Sequence, residues 1–269
     1  MESRKLNEEK PKSTCEVKRA FVLMMFNDNY QYFKGYYRAD ADRENIRMLC
    51  EDAQFTINDT KGLKTDNLTA DEMEDLLKNI ARTDFNPYDA FICFIVSYGD
   101  SQGVLGVDGN SLSVREIIRP IIGCSSLASK PKVFFIHTCK ECNTDKDPPI
   151  SIPIGRDILF AFSGVDTHEF GANHKSLYIS TLTEVLKEYG HDMNLTDMLT
   201  VVNRMVTRFY QIMPDFDGKQ TPIFMSTLRQ AVRFRNFKPE ETPNKNGKIS
   251  QEKCKAPTDW NQIFLADIY

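Results

Sequence analysis

KPKVFFIHTCKEC, residues 130–142, is the stretch on which the fold is read. Val133 to Thr138 is a mostly apolar run of strand length between lysines, the form of a strand buried on both faces. It delivers Cys139 to the rim of a sheet. Upstream, YDAFICFIVSYGD, residues 88–100, has the same form and ends in Ser97, Tyr98, Gly99 and Asp100. Working outward, strands are predicted at Ala20–Phe26, Gln54–Asn58, Tyr88–Ser97, Val133–Thr138, Ile158–Ser163 and Pro222–Thr227. Helices are predicted over Asp40–Phe55, from Thr69 to Ile80, from Ser113, and over about Ser176–Tyr189 and Thr196–Phe209. Thr69-Ala70-Asp71-Glu72 and Ser113-Val114-Arg115-Glu116 fit capping boxes, and Pro120 is predicted to kink or end the helix it sits in. Gly103 to Gly109 reads as a tight hairpin. Strands alternating with helices predict an α/β fold, a mostly parallel sheet covered on both faces. Reactive groups in such sheets gather at the carboxyl ends of the strands. Tyr98 and Cys139 are each predicted just past a strand's last residue, where two loops can bring them together.

Composition bounds the rest. The chain has 269 residues, 41% hydrophobic and 27% charged, which suits a globular protein with a sizeable core. Its net charge of −4 argues against general affinity for nucleic acid or an anionic membrane. Seven cysteines are scattered without a framework, as expected of reduced thiols in a cytoplasmic chain. MESRKLNEEKPKST has no apolar segment of the signal-peptide kind, and the longest apolar run, Phe91 to Val96, is too short to span a bilayer. Residues 1–18 read as a disordered tail and 235–269 as a polar extension, ending in a short apolar segment at Trp260–Leu265. The Asn-x-Thr sequons at Asn58, Asn67 and Asn194 are taken as incidental.

From about Arg19 to Phe234 the sequence resembles the caspase family. DADRENI at 40–46, ICFIVSYGDSQGVLGVDG at 92–109, KPKVFFIHTC at 130–139, IPIGRDILFAFSG at 152–164 and TPIFMSTL at 221–228 carry the resemblance together. It implies a three-layer sandwich with a six-stranded central sheet, within a domain at 19–234. A large-subunit-like part covers 19–147 and a small-subunit-like part 150–234. The short tail resembles effector-type rather than initiator-type members.

The same resemblance implies a dismantled catalytic site. The family's catalytic histidine falls at Tyr98, and its Gln-Ala-Cys-Arg-Gly falls at His137, Thr138, Cys139, Lys140 and Glu141, where only the cysteine matches. Gly99 matches, and with the Cys139 amide it implies a two-donor oxyanion hole. Arg38 lies near one specificity arginine, two residues short in spacing, and Ala172 falls where the other stands. A substrate aspartate without its arginine forfeits charge-assisted hydrogen bonds worth roughly 1.5–3 kcal/mol each. Loss of general acid–base catalysis removes a further factor of about 10²–10⁴, and tyrosine, with its pKa near 10, cannot supply it.

The expectation is therefore a non-catalytic caspase homologue that regulates an active caspase through protein contacts. The segment Pro222, Ile223, Phe224, Met225, Ser226 and Thr227 matches the strand that pairs across the family's dimer. It implies a hetero-dimer with an active caspase or a homodimer, with caspase regulators as further partners. The alternative is a cysteine endopeptidase of altered specificity, using Cys139 and a displaced base. His137, His168 and His174 are the candidates, and His137 shares Cys139's side of the strand. A weaker option is a thiol sensor at Cys139 and Cys142. No cofactor is expected, and no second Cys/His pair stands at metal-ligand spacing. The bridge from Cys139 to Ile152 is short, with Asp147 followed by proline, and is expected to stay uncut.

Overall fold

The computed structural model describes residues 14–30, 39–58, 62–100, 103–140, 155–166, 176–212 and 221–237. A two-residue strand at its edge, β3 (Thr56–Ile57), pairs with β2 (Ala20–Phe26). Next come β4 (Ala90–Gly99), β7 (Lys132–Lys140) and β8 (Ile158–Asp166), all parallel. β9 (Ile223–Ser226) closes the order on the far side, antiparallel to β8. The hairpin β5 (Val104–Leu105) and β6 (Ser111–Leu112) hangs from the end of β4, with Gly99 opposite Val104.

The near-continuous apolar runs of β2, β4 and β7 follow from burial on both faces. Met24, Phe26, Ile92, Phe94, Val96, Val133 and Phe135 share one core with α1 (Asp40–Asp52), α4 (Leu177–Tyr189) and α5 (Leu195–Ile212). The alternate residues Phe21, Leu23, Cys93, Ile95, Phe134 and Ile136 share the other with α2 (Ala70–Ile80) and α3 (Val114–Ile122). Helices thus cover both faces of a mostly parallel sheet, the three-layer arrangement expected.

Both capping boxes form. Thr69 Oγ1 accepts the Glu72 amide at 3.1 Å while Glu72 accepts the Thr69 amide at 2.9 Å, and Ser113 and Glu116 do the same at α3. Pro120 does not end its helix, which runs on to Ile122. A proline inside a helix removes one backbone hydrogen bond; Ile121, just beyond it, is fully buried. The three sequon asparagines serve the fold. Asn58 Oδ1 accepts the Met24 amide at 2.7 Å, Asn67 Oδ1 the amides of Asp28 and Asn29, and Asn194 Oδ1 the Asp197 amide at the start of α5.

Three boundaries need correction. The tail expected over 1–18 stops short at β1 (Thr14–Val17), which pairs in parallel with β10 (Ala231–Phe234) to make a second, two-stranded sheet. The polar extension likewise begins later than 235. Arg235 donates its amide to Val17 O and pairs through its guanidinium with Glu16. Asn236 Nδ2 donates to Lys18 O and Ala53 O, and Phe237 is buried against Phe55 and Phe234. Residues 1–13 and 238–269, Trp260 to Leu265 among them, lie outside the described residues. Third, Tyr98 and Cys139 lie inside their strands, because β4 and β7 stay paired to Gly99 and Lys140.

Candidate active site

Parallel pairing sets Tyr98 directly beside Cys139, and Gly99 beside Lys140, across β4 and β7. Residues paired this way are neighbours about 4.8 Å apart in the sheet. Period-two alternation puts Tyr98, His137 and Cys139 on the face shared with α1 and α4. The two segments singled out from the sequence therefore meet, one strand against the next.

Tyr98 is buried, and Tyr30 meets its ring edge-on at 5.0 Å and 89°. The Tyr98 amide donates to Tyr30 Oη at 2.8 Å, which turns it toward the β2 side of the strand. Phe91, an odd number of residues away, donates its amide to Pro131 O on the β7 side. By alternation the Gly99 amide, and with it the Cys139 amide, points into the β4–β7 seam, where the ladder's own acceptors lie. Both amides expected to line an oxyanion hole are thus inside the sheet. Gly99 also has a packing reason to be glycine: a Cβ there would meet Thr138 Cβ and Cγ2 at 2.8 Å.

His137 sits two residues before Cys139 on the same face, with Nε2 3.7 Å from Sγ. Its ring stacks on Tyr178 with centroids 6.2 Å apart and planes 17° apart. Only 1% of the residue is exposed, and burial alone lowers its pKa from the ordinary 6.5 to about 3. An imidazole whose pKa burial has driven that far down is a poor acceptor for a thiol proton. The imidazole is also sealed away from any leaving group.

Arg38, Ala172, His168, His174, Glu141 and Cys142 lie outside the described residues, as does the side chain of Lys140. Cys139 itself is half-buried. Among the described residues no three His, Cys, Asp or Glu side chains gather as a metal site, and no helix is long and apolar enough to cross a membrane. The residues that sequence reasoning missed are Tyr30 and Tyr178. Neither belongs to a motif, and each reaches the site from an element distant in sequence.

A sequence profile of the Caspase domain matches residues 19–233. The chain belongs to the caspase family. Caspase-3 of Bos taurus is 29% identical over 214 residues, 72% of this chain and 76% of that protein. Caspase-3 of Mesocricetus auratus is 31% identical over 187 residues, 62% of this chain and 67% of that protein. Caspase-6 of Gallus gallus is 28% identical over 258 residues, 80% and 81% of the two chains. Among solved structures, that of pro-sf-caspase-1 matches with a TM-score of 0.70 at 21% identity, over 85% of this chain and 100% of that one. At that identity the likeness is one of fold, and it accords with the helix-flanked mixed sheet described above.

Proposed function

We propose that this caspase-family chain is non-catalytic and regulates an active caspase by protein contact, within the cytoplasm. The observation that carries the reading is the register of Tyr98 beside Cys139. The residue adjoining the nucleophile position is a phenol packed against Tyr30, where general acid–base chemistry at neutral pH calls for an imidazole. The seam-directed amides of Gly99 and Cys139 and the unbasic His137 support the same reading. In it Cys139 is a vestigial nucleophile, Tyr98 stands for the catalytic histidine, and Arg38 and Ala172 mark altered substrate pockets.

The partner surface in this proposal is β9 with its flanking Pro222 and Thr227. β9 is the last strand in the sheet order, and its outer edge carries no strand among the described residues. Such an edge offers main-chain pairing to another small subunit or to a second copy.

The test is hydrolysis of fluorogenic Asp-terminated peptides by the purified chain beside Cys139→Ala. Equal, background rates are expected, together with capture of an active caspase that is lost when β9 is changed, as in Phe224→Pro. Hydrolysis abolished by Cys139→Ala would overturn the proposal.

One observation favours a second reading, a peptidase with His137 as displaced base: the 3.7 Å approach of Nε2 to Sγ. That reading needs the imidazole to be basic and reachable, and burial opposes both. Turnover of a mixed peptide library that vanishes in His137→Gln as well as Cys139→Ala would establish it.

A further inference from the structure

Two of the sequon asparagines stand on the edge of the sheet, each at a left-handed backbone angle, φ 42° at Asn58 and 52° at Asn67. β3 covers only Phe21 and Val22 of β2, which runs on to Phe26. Beyond Val22 the even-numbered residues of β2 turn their main-chain groups toward this edge, since the odd-numbered Asn27 gives its amide to Val96 O on the β4 side. Asn58 meets two of those groups. Its amide donates to Val22 O at 2.8 Å, and its Oδ1 accepts the Met24 amide at 2.7 Å.

Asn67 repeats the arrangement further along. The chain returns to β2 where Asp66 bridges Phe26 in parallel. The Asn67 amide then donates to Phe26 O at 2.8 Å, and its Oδ1 accepts the amides of Asp28 and Asn29 at 3.0 and 2.9 Å. Each asparagine gives its own amide as a strand residue does. Its side chain supplies the carbonyl that the next residue of a strand would bring. Asparagine suits both parts, because it tolerates left-handed φ and carries a carbonyl oxygen.

Unpaired main-chain groups along a sheet edge are a template for another chain. We infer that Asn58 and Asn67 are plugs that close the β2 edge to strand addition. With β9 as the pairing edge, two chains joined β9 to β9 are closed and take up no third. With β2 open as well, β9 of one chain would add to β2 of the next, an arrangement that repeats without end. The plugs thereby set the size of the assembly. That consequence rests on the proposed use of β9, whereas the plugs themselves do not.

Asn58→Gly/Asn67→Gly, made in the full chain, leaves the left-handed backbone unstrained and removes the two side-chain oxygens. Hydrogen exchange read by mass spectrometry is expected to quicken at least about tenfold over residues 24–29, the factor for losing a net hydrogen bond. Light scattering is expected to find a mass that grows past two chains as concentration rises. Asn58→Asp/Asn67→Asp keeps an acceptor oxygen at both places and is expected to exchange and scatter like the wild type, which stays at two chains or fewer. Asn194→Ala removes the same kind of acceptor from the start of α5 and is expected to show no growth. Asn58→Gly alone carries the test if the double variant does not fold. Wild-type mass in the glycine variants overturns the plugs, and so does equal growth in Asn194→Ala, which marks lost stability rather than an opened edge. Growth that survives the addition of Phe224→Pro would instead overturn β9 as the pairing edge and leave the plugs standing.

Discussion

Acid is expected to destabilise this protein through His137, and His137→Gln is expected to resist. The imidazole is fully buried, and its pKa falls from the ordinary 6.5 to about 3 with burial as the only cause. Between those two values the unfolded chain binds a proton that the folded chain refuses. Stability therefore rises with pH across that window, and it is lost as pH falls from about 6.5 toward about 3. Each pH unit inside the window is worth about 1.4 kcal/mol, so the loss at pH 5 is about 2 kcal/mol and grows further below. Glutamine cannot titrate. Urea unfolding at pH 7.5 and pH 5 is expected to show the wild-type chain losing about 2 kcal/mol more than His137→Gln. Equal losses would mean that the imidazole is hydrated, and would reopen the case for it as a base.

Phe135→Ala is expected to cost about 3–5 kcal/mol of stability. Phe135 lies in β7 at 1% exposure, and its ring stacks on Phe94 of β4 with centroids 4.9 Å apart and planes 22° apart. Truncation removes the buried ring and leaves a cavity in the middle of the sheet, where backbone pairing on both sides restrains collapse. Phe94→Ala is expected to cost a similar amount. The double variant should fall short of the sum by about 0.5–1.5 kcal/mol, the part owed to the ring pair. Denaturant midpoints measure all three. A loss under about 1 kcal/mol for either single change would mean that the site can repack, against the dense interior found here.

The central strands were legible because both-face burial writes an unbroken apolar run, as in AFVLMMF and AFICFIV. Their carboxyl ends were not. Polar residues and a glycine break the runs, which read as ending at Ser97 and Thr138, while the ladder continues through Tyr98–Cys139 and Gly99–Lys140. β1 and β10 escaped notice for another reason. TCEV and AVRF are four-residue strands, and each is stabilised chiefly by the other from the far end of the chain. Pro120 was read by a local rule, yet the helix runs two residues past it, with Ile121 buried. Period-two geometry correctly set His137 on the face of Cys139, but its depth, which removes its basicity, is a property of the packed α4 layer. Tyr30 left no trace at all. Its contact with Tyr98 exists only in the folded chain.

The β1–β10 pairing bears on what becomes of the chain if a protease nicks it between Lys140 and Gly155. Each fragment would hold strands and helices that are completed by the other. β7 would still lie against β8, and β1 against β10, with Glu16 and Arg235 as a clasp. The Asp42 carboxylate in α1 would still take the Ser176 amide at the head of α4, and Lys187 would still pair with Asp52. The two fragments are interleaved rather than abutted, and the nick would sever a covalent thread without releasing either piece.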